Sequence, residues 1–249
     1  QAQGKRRWLT GQHCDEHSKQ LENTPLRILD QFETENDWVL EPGDMLYIPP
    51  QIAHHGISQG DCITLSIGLR SPNHEQIWGS FADHVCSSIT QEAHLDDPDL
   101  TLQDNPGEMK PAVIAKLRDV INQYMTDDAL SEWFGQYSTE PKTDHIVQLP
   151  DAPITQNELM DYLSDDVLLR RNEGSRLSYY CPIEQPNKIK FYYDGFEQIL
   201  SSSNIPLIKL ICDLNELPSK AVLDTITAGN PTDLLLDLIN GGHLYIEET

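Results

Sequence analysis

From Gln1 to Asn73 the chain never holds one pattern for more than a few residues. Short β-type runs, Arg7-Trp8-Leu9, Leu26–Leu29, Asp37–Leu40, Met45–Ile48 and Cys62–Gly68, are separated by Gly, Pro and Asn/Asp breaks. Regularly spaced short strands of this kind read as a barrel or sandwich. The opening residues QAQGKRRWL read as the middle of a strand rather than a natural start. A barrel entered there lacks half its strands, so the expectation is a truncated chain.

After Asn73 the period changes from two to that of a helix. Ile77, Phe81 and Val85 share one helical face behind a candidate N-cap, Asn73. A second helix is predicted from Pro111 to Met125, with Val113, Ile114, Leu117, Val120, Ile121 and Tyr124 as its apolar stripe. A third runs from Asp127 to Phe134. The run Leu-Pro-Asp-Ala-Pro at 149–153 marks a linker. Beyond it the sequence predicts a helix from Thr155, strands at Val167–Arg170, Leu177–Cys181 and Lys188–Tyr192, and helices near Ile205–Leu214, Ser219–Ile226 and Pro231–Asn240. The strand Leu244-Tyr245-Ile246 closes the chain. Helices followed by a closing β-ribbon suggest a winged-helix-like module. The expected organisation is α+β: part of a barrel over 1–73, a helical region over 74–148 and a winged-helix-like domain over 149–249.

Charge narrows the partners. The net charge is −23, and residues 1–73, 74–150 and 151–249 carry −4, −10 and −9. Neutralising phosphates needs clustered Lys and Arg, and no segment here is basic. Direct nucleic-acid binding is therefore not expected, whereas a basic protein partner would be attracted and steered. No run approaches the roughly 18 apolar residues of a membrane span. The five cysteines are scattered without a CxxC pair, which argues against a disulfide framework or structural zinc and suits a reducing cytoplasm.

One stretch carries chemistry: Glu41-Pro-Gly-Asp-Met-Leu-Tyr-Ile-Pro-Pro-Gln-Ile-Ala-His54-His55-Gly56. Pro42-Gly43-Asp44 makes a tight turn, Met45–Ile48 reads as a strand, and Pro49-Pro50 stops it. The loop that follows would return His54 toward the barrel interior, where a neutral imidazole is a good Fe(II) ligand. Gly43, Pro49 and His54 stand at the spacing of the second cupin motif, with Gln51 in place of its middle glycine. His55 is the competitor; the spacing disfavours it, and it is expected to point away or to support the ligand from behind. A facial triad needs a second His and a carboxylate. No His-x-Asp or His-x-Glu lies between Gln1 and His54, so the other ligands are expected upstream of Gln1.

These residues, together with Gly4-Lys5-Arg6-Arg7-Trp8, Ser66-x-Gly68-x-Arg70-x-Pro72-Asn73, Trp133-Phe134-Gly135 and Gly241-Gly242-x-x-Tyr245, resemble the JmjC-type cupin bacterial ribosomal oxygenases along nearly the whole chain. The resemblance implies a double-stranded β-helix barrel, a helical dimerisation region and a winged-helix-like domain. It also implies an Fe(II)- and 2-oxoglutarate-dependent hydroxylase acting on an arginine of a large-subunit ribosomal protein. Carried over, His54 corresponds to the distal iron-binding histidine. Arg6 corresponds to the basic residue that pairs with the far carboxylate of 2-oxoglutarate, a role suited to a guanidinium fork. Strand alternation turns Arg6 inward and its neighbours outward. Thr64 is placed to hydrogen-bond the cosubstrate. With one metal ligand of three, the chain by itself is expected to be inactive.

Two other readings share His54. A metal-dependent cupin of different chemistry would need neither Arg6 nor the downstream modules. A barrel without metal would serve only as a binding scaffold. An upstream His-x-Asp separates them from the oxygenase.

Overall fold

The computed structural model describes the chain except residues 23, 69–70, 96–100, 142–146, 148, 166, 227–231 and 248–249. It divides into two compact units, Gln1–Pro72 and Asn73–Thr249.

The first unit is built on three antiparallel strands, β1 (Gln3–His13), β2 (Thr34–Leu40) and β3 (Ile52–Ile63), in the order β2-β1-β3. Strand β1 is central. Trp8 lies opposite Trp38 on β2 and Gly56 on β3, and Thr10 lies opposite Asn36 and His54. The structure corrects several expectations here. Residues 45–48 join no ladder, and β3 ends at Ile63 instead of running through 62–68. Leu26–Leu29 contributes only an isolated bridge, Gln20 to Leu29. The stretch expected to be a loop delivering His54 is the start of β3. Its polar residues and two glycines carry little strand signal of their own. Pairing with β1 imposes the extended conformation.

The second unit opens with α1 (His74–Ser88), whose start is a capping box: Asn73 Oδ1 accepts from the Gln76 amide at 2.8 Å, and Gln76 Oε1 accepts from the Asn73 amide at 2.9 Å. Next come α2 (Pro111–Tyr124), with proline in its first turn and no buried residue, and α3 (Asp127–Thr139), capped by Thr126. Then follow α4 (Gln156–Ser164), again with a capping box at Thr155, β4 (Leu168–Arg171), β5 (Leu177–Tyr180), β6 (Lys188–Tyr193) and β7 (Phe196–Ser201). The chain closes with α5 (Ile205–Asp213), β8 (Glu216–Pro218), α6 (Ser219–Thr225), α7 (Asp233–Asn240) and β9 (Leu244–Glu247). Strands β7 and β8 had no counterpart in the sequence reading.

Two antiparallel sheets result, β8-β4-β9 and the meander β5-β6-β7. The core lies among α4, α5, α7 and the sheets, where Leu159, Leu163, Leu169, Ile208, Leu235 and Leu238 are fully or almost fully buried. Each such side chain contributes roughly 1.5–3 kcal/mol. Strand β6 is covered on both faces. Ile189 and Phe191 enter that core, while Lys190 and Tyr192 face α3. Lys190 is buried and pairs with Asp128 at 2.7 Å and Glu197 at 3.5 Å. Burial alone would lower its pKa, but these two carboxylates outweigh it and raise the pKa. Among the described residues no helix is long and apolar enough to cross a membrane.

Candidate functional site

Directly opposed residues of antiparallel strands share a face. The β1–β3 register therefore sets Arg6, Trp8 and Thr10 beside Ser58, Gly56 and His54 on one side of the sheet. Lys5 and Arg7 lie on the other side, paired with Glu41 at 2.5 Å and Asp37 at 2.5 Å. The Arg7–Asp37 hydrogen bonds raise the pKa of the guanidinium and lower that of the carboxyl. Arg6 thus lies on the face opposite Lys5 and Arg7, the alternation expected of a strand.

His54 Nδ1 stands 3.0 Å from the Ile52 carbonyl oxygen. A carbonyl only accepts, so the bond places a proton on Nδ1; in the neutral imidazole the lone pair then lies on Nε2. The ring lies 6.0 Å from that of Trp8. On the other side of Trp8, the Arg6 guanidinium carbon sits 5.2 Å from the indole ring, a cation–π distance. Trp8 is the spacer between the two.

Arg6 Nη2 donates to the Gly56 carbonyl at 3.1 Å. Its Nε is buried with no hydrogen-bond partner among the described residues. A buried charged donor without a partner is costly, and a ligand carboxylate would complete it. His55 projects from the opposite face and meets the edge of Phe32 at 6.4 Å. Thr64 lies just beyond the end of β3, and its hydroxyl donates to Gln1 Oε1 at 2.5 Å. The structure therefore brings Arg6 and His54 onto one face with Trp8 between them, while Thr64 is engaged with Gln1.

Among the described residues no three His, Cys, Asp or Glu side chains converge as a metal site. The residues present nonetheless fit the expected groups in kind. His54 offers one nitrogen suited to a divalent metal, and Arg6 offers a buried, unsatisfied guanidinium N–H suited to a carboxylate. Trp8 and Gly56 are the residues whose parts the sequence reading missed. Gly56 is required because a Cβ there would stand 2.6 Å from Arg6 Nε and 2.9 Å from Trp8 Cη2.

A cupin-type sheet carrying this histidine and arginine, followed by a winged-helix unit, defines a JmjC architecture, and comparison with known proteins agrees. Residues 1–77 match the JmjC domain, and residues 117–245 match the ROXA-like winged helix. The chain belongs to the family of the ROXA-like winged helix, whose match takes in just over half of it, and it carries a JmjC match ahead of that module. It is 30% identical over 254 residues to the ribosomal protein uL16 3-hydroxylase of Escherichia coli, covering 99% of this chain and 64% of that protein. It is 38% identical over 256 residues to a probable ribosomal oxygenase of Haemophilus influenzae, covering 96% and 61%. The structure of YcfD, a ribosomal oxygenase from Escherichia coli in complex with cobalt and 2-oxoglutarate, superposes with a TM-score of 0.75 at 25% identity, covering 100% of this chain and 63% of that one. The chain thus spans somewhat less than two thirds of the length of these relatives.

Proposed function

We propose that this chain is part of an Fe(II)- and 2-oxoglutarate-dependent hydroxylase that modifies an arginine side chain of a large-subunit ribosomal protein. The observation that carries the reading is the placement on one sheet face of His54, whose Nδ1 is held by the Ile52 carbonyl, and an arginine with an unsatisfied buried Nε. The relatives support it: one is a ribosomal protein hydroxylase, and one was solved with cobalt and 2-oxoglutarate.

When bound, iron with 2-oxoglutarate supplies the oxidative chemistry that the protein's own side chains lack. His54 contributes one neutral imidazole, held in the required tautomer by the Ile52 carbonyl. Arg6 receives the far carboxylate, and the Trp8 ring beneath its guanidinium limits where the fork can point. Thr64 is a further hydrogen-bond donor to the cosubstrate once it exchanges its Gln1 partner. His54 is one of the three ligands that a facial triad needs.

The segment 74–148 forms a homodimer contact through the exposed stripe of α2, the charge favours a basic ribosomal protein over nucleic acid, and the enzyme works in the cytoplasm. The test is mass spectrometry of ribosomal proteins from cells with and without the gene. A gain of one oxygen on an arginine of a large-subunit protein, present only with the gene, is expected. An unchanged ribosomal protein set overturns the reading.

A further inference from the structure

The second unit contains a cleft of about 400 Å³ walled by α1, α3 and the β6–β7 turn. Its aromatic side is made by Trp133, Tyr137 and Phe196. Trp133 and Tyr137 stack with ring centroids 5.5 Å apart and planes 28° apart, and Phe196 is 64% exposed at the mouth. Glu140 is at the rim, and among the described residues no Lys or Arg lines the cleft.

The cleft is built rather than incidental. Asp194 and Gly195 form the two-residue turn with φ of 47° and 87°, the Asp-Gly choice a tight hairpin requires. Asp194 is immobilised from below: Oδ1 accepts from the Arg176 amide at 2.7 Å, and Oδ2 accepts from Ser175 at 2.9 Å and contacts His243 Nδ1 at 2.7 Å. From above, the Gly195 amide donates to Thr139 Oγ1 at 3.1 Å, which ties the turn to the end of α3 next to Glu140. The aromatic wall and the rim carboxylate are therefore fixed relative to each other before any partner arrives. Asp194 uses both oxygens internally, so Glu140 is the carboxylate left to meet a partner.

We propose that this cleft is a docking site for an arginine side chain of a basic protein segment. A guanidinium can lie flat against an aromatic face while its N–H fork engages a carboxylate, which an ammonium does less well. Charge complementarity selects the partner class: residues 73–249 hold 11 Lys+Arg against 30 Asp+Glu, a charge of −19. Phosphate-bearing partners are repelled by the same field. The inference stands apart from the hydroxylase reading, because the cleft lies wholly in the second unit and its test needs no turnover.

The probe is a capped peptide of three arginines spaced by glycines. Its citrulline counterpart keeps the shape and removes the charge. Both are titrated by calorimetry at about 0.1 M salt, where the screening length is about 10 Å, with the Trp133 indole N–H followed by NMR. The arginine peptide is expected to bind and shift the Trp133 signal, with the citrulline peptide at least about five-fold weaker. Glu140→Gln and Phe196→Ser should each weaken binding about two- to five-fold, while Glu184→Gln, exposed elsewhere on the unit, should not. Binding insensitive to Glu140→Gln and Phe196→Ser, an equal loss in Glu184→Gln, or tighter binding of a single-stranded RNA of similar length would overturn the proposal.

Discussion

The guanidinium of Arg6 rests on Gly56, fifty positions along the chain: Nη2 donates to the Gly56 carbonyl at 3.1 Å, and a methyl on that glycine would stand 2.6 Å from Nε. Gly56→Ala therefore presses on the end of the Arg6 side chain and on the Trp8 ring rather than on backbone. In protein spanning the relatives' full length, the expected outcome is a small loss in Tm and a rise of about ten-fold or more in the KM for 2-oxoglutarate, since hydrogen bonds to charged groups are worth about 1.5–3 kcal/mol. Steady-state kinetics beside a thermal melt checks it. An unchanged KM would remove Arg6 from the cosubstrate site.

His54 and His55 are neighbours in sequence but face opposite sides of the sheet, one beside Trp8 and the other against Phe32. His54→Ala in the same protein should abolish turnover and weaken metal binding. His55→Ala should keep most activity, losing only an edge contact worth about 0.5–1.5 kcal/mol. Metal titration of both variants separates the roles, and equal behaviour of the pair would sink the assignment.

The helices were legible because their signals are local. Asn73, Pro111 and Thr155 mark starts, and the apolar stripes of α1 and α2 repeat at helical spacing. The strand β3 was not, because Ile52–Ile63 is polar and glycine-containing, and only its partner β1 makes it extended. The reverse error arose at Met45, Tyr47, Leu65 and Ile67. These carry strand-like patterning yet are 90%, 74%, 73% and 85% exposed, with no ladder partner among the described residues. At the site, spacing singled out His54, while Arg6 came from the family resemblance, with strand alternation supporting its orientation. What Gly56 does depends on a cross-strand neighbour, and nothing within a few residues of it signals that contact.

Gly135 on α3 lies against the Tyr192 ring of β6, where a Cβ would come within 2.4 Å of ring carbons. This close approach lets α3 lie on the meander and lets Asp128 reach Lys190. Gly135→Ala should destabilise the second unit by about 1–3 kcal/mol, the usual cost of overpacking, despite the better helix propensity of alanine. Urea unfolding measures the change. A neutral or stabilising result would mean that α3 is not seated on β6 in this way.

Helix α2 buries none of its residues, and Ile114, Leu117, Val120 and Ile121 are each between 42% and 55% exposed along one stripe. Exposed apolar patches of this kind mark interaction sites, and the proposed occupant is a second copy of this chain. The protein is expected to be a dimer by light scattering at micromolar concentration, and the double variant Leu117→Glu, Ile121→Glu a monomer with its helix content intact. A monomeric parent under those conditions would remove the dimer proposal.

Asp194 and His243, 49 positions apart, meet at 2.7 Å in a buried cluster with Ser175. Burial pushes the Asp194 carboxyl up. Hydrogen bonds from His243, the Arg176 amide and Ser175 outweigh that effect, and the pKa lies below the ordinary aspartate value. The sign follows by linkage. A depressed folded-state pKa gives stability that is fully present above the unfolded-state value of about 3.9 and is lost as pH falls through the folded-state value. Asp194→Asn keeps the turn, because asparagine tolerates the left-handed backbone at this position, but it removes the charge. The variant should be less stable than the parent by about 1.5–3 kcal/mol at pH 7, the worth of a charged hydrogen bond. The gap should narrow steadily as the pH drops below about 4. Denaturant unfolding of both proteins across that range reads the difference directly. A gap that stays constant with pH would show that the turn, rather than the charge of Asp194, is what the substitution disturbs.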